Sequence, residues 1–363
     1  MKALRQVLVS IQRELFPAWE EEIGELSEKE QQFLRMLVLV EVERFMAPYR
    51  WKWLGRKPKD RLPIARAFIA QAVWNLHDSK AMRMYLMGCA SLRRLCGWES
   101  PGQIPSESTF SRAFAAFADG HLSQQIHEAL VKRYLGRKLI GHISRDSTAI
   151  SAREKPAPKS PRPPKAPKKR GRPRKGEPPP AKTPTRLMLQ GSRSLAENLA
   201  DLPRVCDVGC KRNSQGYRQT WRGYKLHLDC VDGDIPVSAL LTSASLHDSQ
   251  AAIPLAQMSM DRVCNLYDLM DSAYAAPTIA EFSRRLGHVP LIEPNPHWTN
   301  QPTLDPAARI RFRERSSVER VYSNLLDNFG GAWMRVRGAV KVMCHLMFSV
   351  LALTAVQLFR LLE

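Results

Sequence analysis

Very little in this sequence fits a secreted, membrane-spanning or nucleotide-hydrolysing protein. Seven cysteines (Cys89, Cys96, Cys206, Cys210, Cys230, Cys264 and Cys344) are sparse over 363 residues, odd in number and form no C-x-x-C pair. A disulfide framework is therefore excluded, and buried thiols in a reducing cytosol are expected. Cys206-x3-Cys210 has no Cys or His partner at zinc-finger spacing. The opening residues, Met1 to Arg13, lack the 7–15-residue apolar stretch of a signal peptide. The most apolar segment, Leu346 to Phe359, is shorter than the ~20 residues that span a bilayer and is expected to be a buried helix. Gly171 and Gly176 have the gap of a P-loop, but Glu177 stands where its lysine belongs and no strand precedes them. Acids are also scarce, 35 against 55 Lys plus Arg, which gives a net charge of +20 and favours a polyanionic partner, nucleic acid or an anionic surface.

What is present is a globular composition, 44% hydrophobic and 25% charged, with the charge unevenly spread. Residues 153–186 hold 13 Lys or Arg, two acids and 11 of the 26 prolines, so this segment carries +11 and the rest of the chain +9. With almost no large apolar side chains it cannot offset its ordering entropy, and it reads as a disordered basic insert between folded parts. Before it, residues 1–137 read as helices. Leu62, Ala65, Phe68, Ile69, Ala72, Val73 and Leu76 follow a 3.6 period, Ser79 is placed to cap a helix through Leu86 to Cys96, and Gly97 stops it. Phe110, Phe114 and Phe117 share one face of the next helix. Short helices between Ser, Gly and Pro turns suit a helix-turn-helix-like DNA-binding domain, though any helical bundle reads alike.

After residue 137 the period changes. Ile140 to Arg145 reads as a strand, and Tyr224 to Val231 turns through Asp232-Gly233-Asp234 into Ile235 to Leu241, a hairpin signature. A helix over 249–260, an apolar strand over 263–270, a helix over 277–286 and a strand over 289–292 follow, with two helices at 316–329 and 340–362. Together these predict an α/β fold of the α+β type, a mixed sheet with helices packed on it over residues 138–363.

Carboxylates are the groups left to carry chemistry. Asp146 follows the strand 140–145, and Asp271 ends the strand after 263; Asp268, three residues earlier on the same strand, points to the opposite face. Glu319 sits in Ser316-Ser317-Val318-Glu319, which matches a capping box, while Arg315 stands one turn before it. His247-Asp248 is expected to shape the turn after the hairpin.

The ordered set His142-Ile143-Ser144-Arg145-Asp146-Ser147-Thr148, Gly223-Tyr224-Lys225-Leu226-His227, Leu246-His247-Asp248-Ser249, Met270-Asp271-Ser272-Ala273-Tyr274 and Arg315-x-x-Val318-Glu319-Arg320 resembles the DDE transposases of bacterial insertion sequences, of the superfamily numbered four and five. The resemblance implies an RNase H-like catalytic domain after a helical N-terminal domain, with Asp146, Asp271 and Glu319 as catalytic and metal-binding residues. It implies Mg²⁺, with Mn²⁺ as a substitute, cleavage at element ends, and transfer of 3′-hydroxyls into target DNA. A homodimer on DNA, a cytoplasmic, nucleoid-associated location and no membrane partner are implied as well. The family's last motif, Tyr-x2-Arg-x3-Glu-x6-Lys, is matched in part, with Phe312 for the tyrosine and Leu326 for the lysine. Arg315 and Arg320 are expected to contact DNA, as are Arg170, Arg172, Arg174 and Lys175 of an AT-hook-like run suited to a narrow minor groove. A domesticated, non-enzymatic DNA-binding protein and an RNase H-like nuclease without strand transfer are the alternatives; retention of all three carboxylates argues against the former, and the Arg-x3-Glu element with the helical N-terminal section against the latter.

Overall fold

The computed structural model describes residues 25–51, 55, 57–158, 184–212, 215–294 and 304–362. Most of the basic insert, including Arg170, Arg172, Arg174 and Lys175, lies outside these residues.

The N-terminal half is helical, as its periodicity predicts. Helix α1 (Glu28–Val40) opens with a capping box between Ser27 and Glu30. Helix α2 (Arg61–Val73) buries almost every side chain after its first turn. The following stretch is two helices, α3 (Ser79–Gly88) and α4 (Ala90–Cys96), parted by extended backbone at Cys89. The cap is Asp78, whose carboxylate accepts the Ala81 amide at 2.8 Å, so the sequence assignment to Ser79 was one residue late. Gly97 ends α4 at φ 110°, a conformation that costs glycine no Cβ clash. Helices α5 (Glu107–Asp119) and α6 (Leu122–Leu135) complete the section, with Phe110, Phe114 and Phe117 packed around Phe68.

The sheet is built on β1 (Leu139–Ser151). After two short helices, α7 (Arg186–Gln190) and α8 (Leu195–Asp201), come β2 (Asp207–Arg212), β3 (Arg218–Val231) and β4 (Ile235–Ser243). Strand β3 runs antiparallel to β1, β2 and β4. Helix α9 (Ser249–Met260) leads to β5 (Cys264–Met270), and α10 (Pro277–Arg285) to β6 (Val289–Ile292). Strand β5 pairs parallel with β1, and β6 parallel with β5, which makes the sheet mixed. The chain ends in α11 (Pro306–Phe312), α12 (Ser316–Asn328) and α13 (Ala339–Leu362).

Side-chain alternation assigns the two faces. Leu226, Leu228 and Cys230 of β3 pack with Val318, Val321 and Leu325 of α12 and Leu346 and Val350 of α13. The residues between them point the other way; Asp229 meets Ser259 of α9 there. Helix α13 is 24 residues long, matching the helix expected over 340–362 and extending beyond its 14-residue apolar run. It is long and apolar enough to cross a membrane, but 83% of its apolar window is buried inside the fold. It also joins the two halves: Cys344, Phe348, Leu351 and Ala355 share one core with Phe33, Ile69 and Phe110 from the helical section and Ile143, Val231 and Val237 from the sheet. Packing therefore runs without a break across residue 137.

Candidate active site

Asp146 stands in the middle of β1, not at a strand end, because β1 continues to Ser151. The extension is held by antiparallel pairing with β3, in register Asp146 to Leu228 and Ser151 to Gly223. Alternation turns Arg145 and Asp146 to opposite faces. Arg145 is buried beneath the sheet and donates from Nε and Nη2 to the two carboxylate oxygens of Asp229, each at 2.7 Å. Ser259 adds a third hydrogen bond to Asp229, at 2.6 Å. Asp146 faces α12 instead, where Tyr322 donates its hydroxyl hydrogen to the Asp146 carbonyl at 2.6 Å. The same phenol accepts from the Leu228 amide at 3.1 Å, so Tyr322 fixes β1 and β3 together at this point.

Asp271 lies one residue beyond β5 and caps the short turn Ser272–Tyr274, its Oδ1 accepting the Ala273 amide at 3.0 Å. Asp268 is committed to the opposite face by hydrogen bonds from Asn265, Ser283 and His288. Burial pushes its carboxyl up, but the His288 hydrogen bond and the Arg145 charge outweigh burial and hold it below the usual range. Parity along the strand thus separates these two aspartates as the sequence implied.

Glu319 does not form the capping box. Residues Arg313–Arg315 make a tight helical turn that runs straight into α12, leaving Arg315 at the cap position with helical backbone and no side-chain cap. Ser316 donates to the Arg313 carbonyl instead, and the Ser144 hydroxyl docks the turn on β1 through the Glu314 carbonyl at 3.1 Å. Glu319 is consequently free to accept from Arg315 Nη2 at 2.6 Å. Nη1 of the same guanidinium lies 3.5 Å from Asp146. Arg315 therefore bridges Glu319 on the helix and Asp146 on the strand.

The electrostatics reveal a further acid. Burial raises the Asp146 carboxyl to about 6; Asp271 and Asp248 push it in the same direction, against the Ser147 amide and Arg315. Burial raises Asp271 too, with Asp248 and Glu293 adding to the shift and the Ala273 amide and Arg315 opposing it. Asp248 thus lies near enough to act on both. His247 does brace the local turn, through Ser249 at 2.8 Å, but Asp248 reaches Lys225, whose ammonium donates to it at 2.9 Å. The signal was available in sequence only as an unassigned lysine in Gly223-Tyr224-Lys225, with nothing to say which acid it meets.

Among the described residues, no three Asp, Glu, His or Cys side chains are grouped so as to hold a metal ion outright. Asp271 acts on Asp146 through its charge, whereas Glu319 reaches Asp146 through Arg315. The donor chemistry fits a hard divalent cation nonetheless: Asp146 and Asp271 are desolvated, acidic charges push both carboxyls upward, and oxygen ligands suit magnesium. Arg320 is paired in bidentate fashion with Asp234 of the β3–β4 turn, at 2.8 and 3.0 Å. Leu326 is half-buried against the α12–α13 core. Cys206 is buried and Cys210 exposed, both free thiols.

The transposase DDE domain family matches residues 196–355, a span that holds Asp271 and Glu319 and begins after Asp146. No curated protein matches the chain.

Proposed function

We propose, from the premise that this chain is a DDE transposase and hence a metal-dependent DNA-cleaving enzyme, that Asp146, Asp271 and Glu319 are its catalytic carboxylates. The observation that carries this is the single guanidinium of Arg315 between Asp146 and Glu319, with Asp271 close enough to perturb Asp146. The three acids come from a strand, a strand end and a helix, and burial already penalises the charge of Asp146 and Asp271.

These three residues would hold the divalent ion, Mg²⁺ or Mn²⁺, which would supply stabilisation of the charge developing on phosphodiester oxygens and activation of water. Tyr322 fixes the backbone of Asp146, and the Arg145–Asp229 pair beneath β1 fixes the register that aims it. Arg315 keeps Glu319 turned toward the strand and supplies a cation beside the reacting phosphate. The reaction is hydrolysis at the element's ends, followed by attack of the 3′-hydroxyls on target DNA, carried out by a homodimer. The helical section contributes recognition of the ends, and the Arg170–Lys175 run follows an A·T-rich minor groove.

Asp146→Asn, Asp271→Asn and Glu319→Gln are each expected to lower metal-dependent nicking of terminal DNA by roughly 10²-fold or more while leaving duplex binding in place. Asp268→Asn serves as the comparison and retains nicking. Wild-type rates in Glu319→Gln would remove Glu319 from the site.

A further inference from the structure

Between α2, α5 and the segment that enters α13 lies a groove of about 470 Å³, floored by Phe68. Its rim carries Arg153, Arg335, Arg337 and Lys341, all exposed. Among the described residues none of the four makes an ion pair, in contrast to Arg315 and Arg320, which are engaged with acids. Asp78 is the lining acid, and its carboxylate is committed to capping α3. Glu154, beside Arg153, joins the two walls: it accepts the Tyr224 hydroxyl at 2.5 Å and the Gly338 amide at 3.2 Å. Four cations without an ion pair among the described residues are thus held on a braced frame, where their mutual repulsion is a standing cost unless an anion is bound.

The position of the groove is informative. Arg153 follows Asp146 by seven residues along β1 and its exit, about 20 Å of extended chain. Helix α12 covers the same span, from Ser316 near Asp146 to Asn328, with the Asp327 carbonyl accepting from Asn75 on the helical side. That separation matches about six base-pair steps of duplex DNA at 3.4 Å each.

We propose that this groove grips the sugar–phosphate backbone of the duplex that extends away from the cleavage site. The inference rests on the transposase reading for the identity of its ligand, and it assigns the holding of DNA to the seam between the helical section and the sheet domain. Arg153 and the Arg335–Arg337 segment come from two separate parts of the chain that both line the groove, so a strand laid along it meets cations from both.

The test uses the full chain, a fluorescent 30-base-pair duplex of mixed sequence and no metal, with affinity followed against salt. The variant Arg335→Ala/Arg337→Ala is expected to flatten the log–log salt slope by about 1.8, since each phosphate contact contributes about 0.9. Arg335→Lys/Arg337→Lys keeps the slope within a few tenths of wild type. Arg137→Ala/Lys138→Ala, which removes equal charge at the opposite end of β1, also leaves it within a few tenths. A wild-type slope in the alanine variant, or an equal flattening in the Arg137/Lys138 variant, overturns the groove. Binding is read without metal, so a wild-type protein that fails to nick in Mg²⁺ yet loses slope on groove substitution counts against the transposase reading alone.

Discussion

Arg145 and Asp146 show what adjacent residues on a strand can do when alternation sends them to opposite faces. Arg145 and Asp229 are both essentially inaccessible to solvent, and the pair is met by Ser259 as well. Removing one partner leaves an uncompensated buried charge, so Arg145→Met is expected to destabilise the fold by about 3–5 kcal/mol, measured by denaturant unfolding. Asp146 behaves in the opposite sense. Its carboxyl is raised to about 6, so ionisation above that pH works against the folded state, and the stability it contributes is present below pH 4 and lost as pH rises through 6. Asp146→Asn is thus expected to raise the melting temperature of the metal-free protein at pH 7.5, by about 2 kcal/mol of stability, while abolishing nicking. A melting temperature equal to or below wild type would show that Arg315 already compensates the charge. The sequence made Asp146 and Asp271 legible through their place beside strands and their parity relative to Asp268. Asp248 was hidden, because its approach to the acids depends on where α9 starts over the sheet.

At the scale of elements, the long periodic segments were legible and the short ones were not. Helices α9 and α13, the β3–β4 hairpin and β6 lie where apolar periodicity and turn residues put them. Strand β2 and helices α7 and α8 were missed, because Asp207–Arg212 has little apolar content and is held by pairing with β3. The Glu319 capping box failed for a related reason: local pattern proposed a helix start, but docking of Arg313–Arg315 on β1 extended the helical path backwards. On α12, Leu326 lies where the family motif carries lysine. It is half-buried against the core, so Leu326→Lys costs about 1 kcal/mol or less, since a lysine stem can follow apolar surface and extend its ammonium to water. Thermal unfolding checks this, and a loss above 3 kcal/mol would mean that the position is closed to any cation.

Over the whole molecule, the boundary that composition and periodicity place near residue 137 is one of secondary structure, not of packing. The core around Phe33, Ile69, Ile143 and Leu351 spans it, and His127 of α6 meets Thr354 of α13 and the Pro236 carbonyl at 3.1 Å. Leu351→Ala is expected to lower stability by about 2–5 kcal/mol and to shift a single unfolding transition, followed by circular dichroism and tryptophan fluorescence together. Two separated transitions would show that the halves are independent. Burial holds His127 down to about 3 and His227 down to about 4. Both are neutral when folded, whereas the unfolded chain takes up their protons near pH 6.5. Stability present above that pH is therefore lost as pH falls from about 6.5 toward 4, at up to about 1.4 kcal/mol per unit for each histidine. His227→Gln should flatten the loss, read from urea midpoints at pH 7 and 4.5. Helix α13 also has a consequence for biosynthesis. Every core that closes the helical section and the face of the sheet under α12 waits for residues 342–358, which the ribosome delivers after all the surfaces they cover. At about 5–20 residues per second, the earlier elements remain without their keystone for many seconds of elongation, so a nascent chain stalled before residue 342 should be readily cut by protease and bound by chaperones.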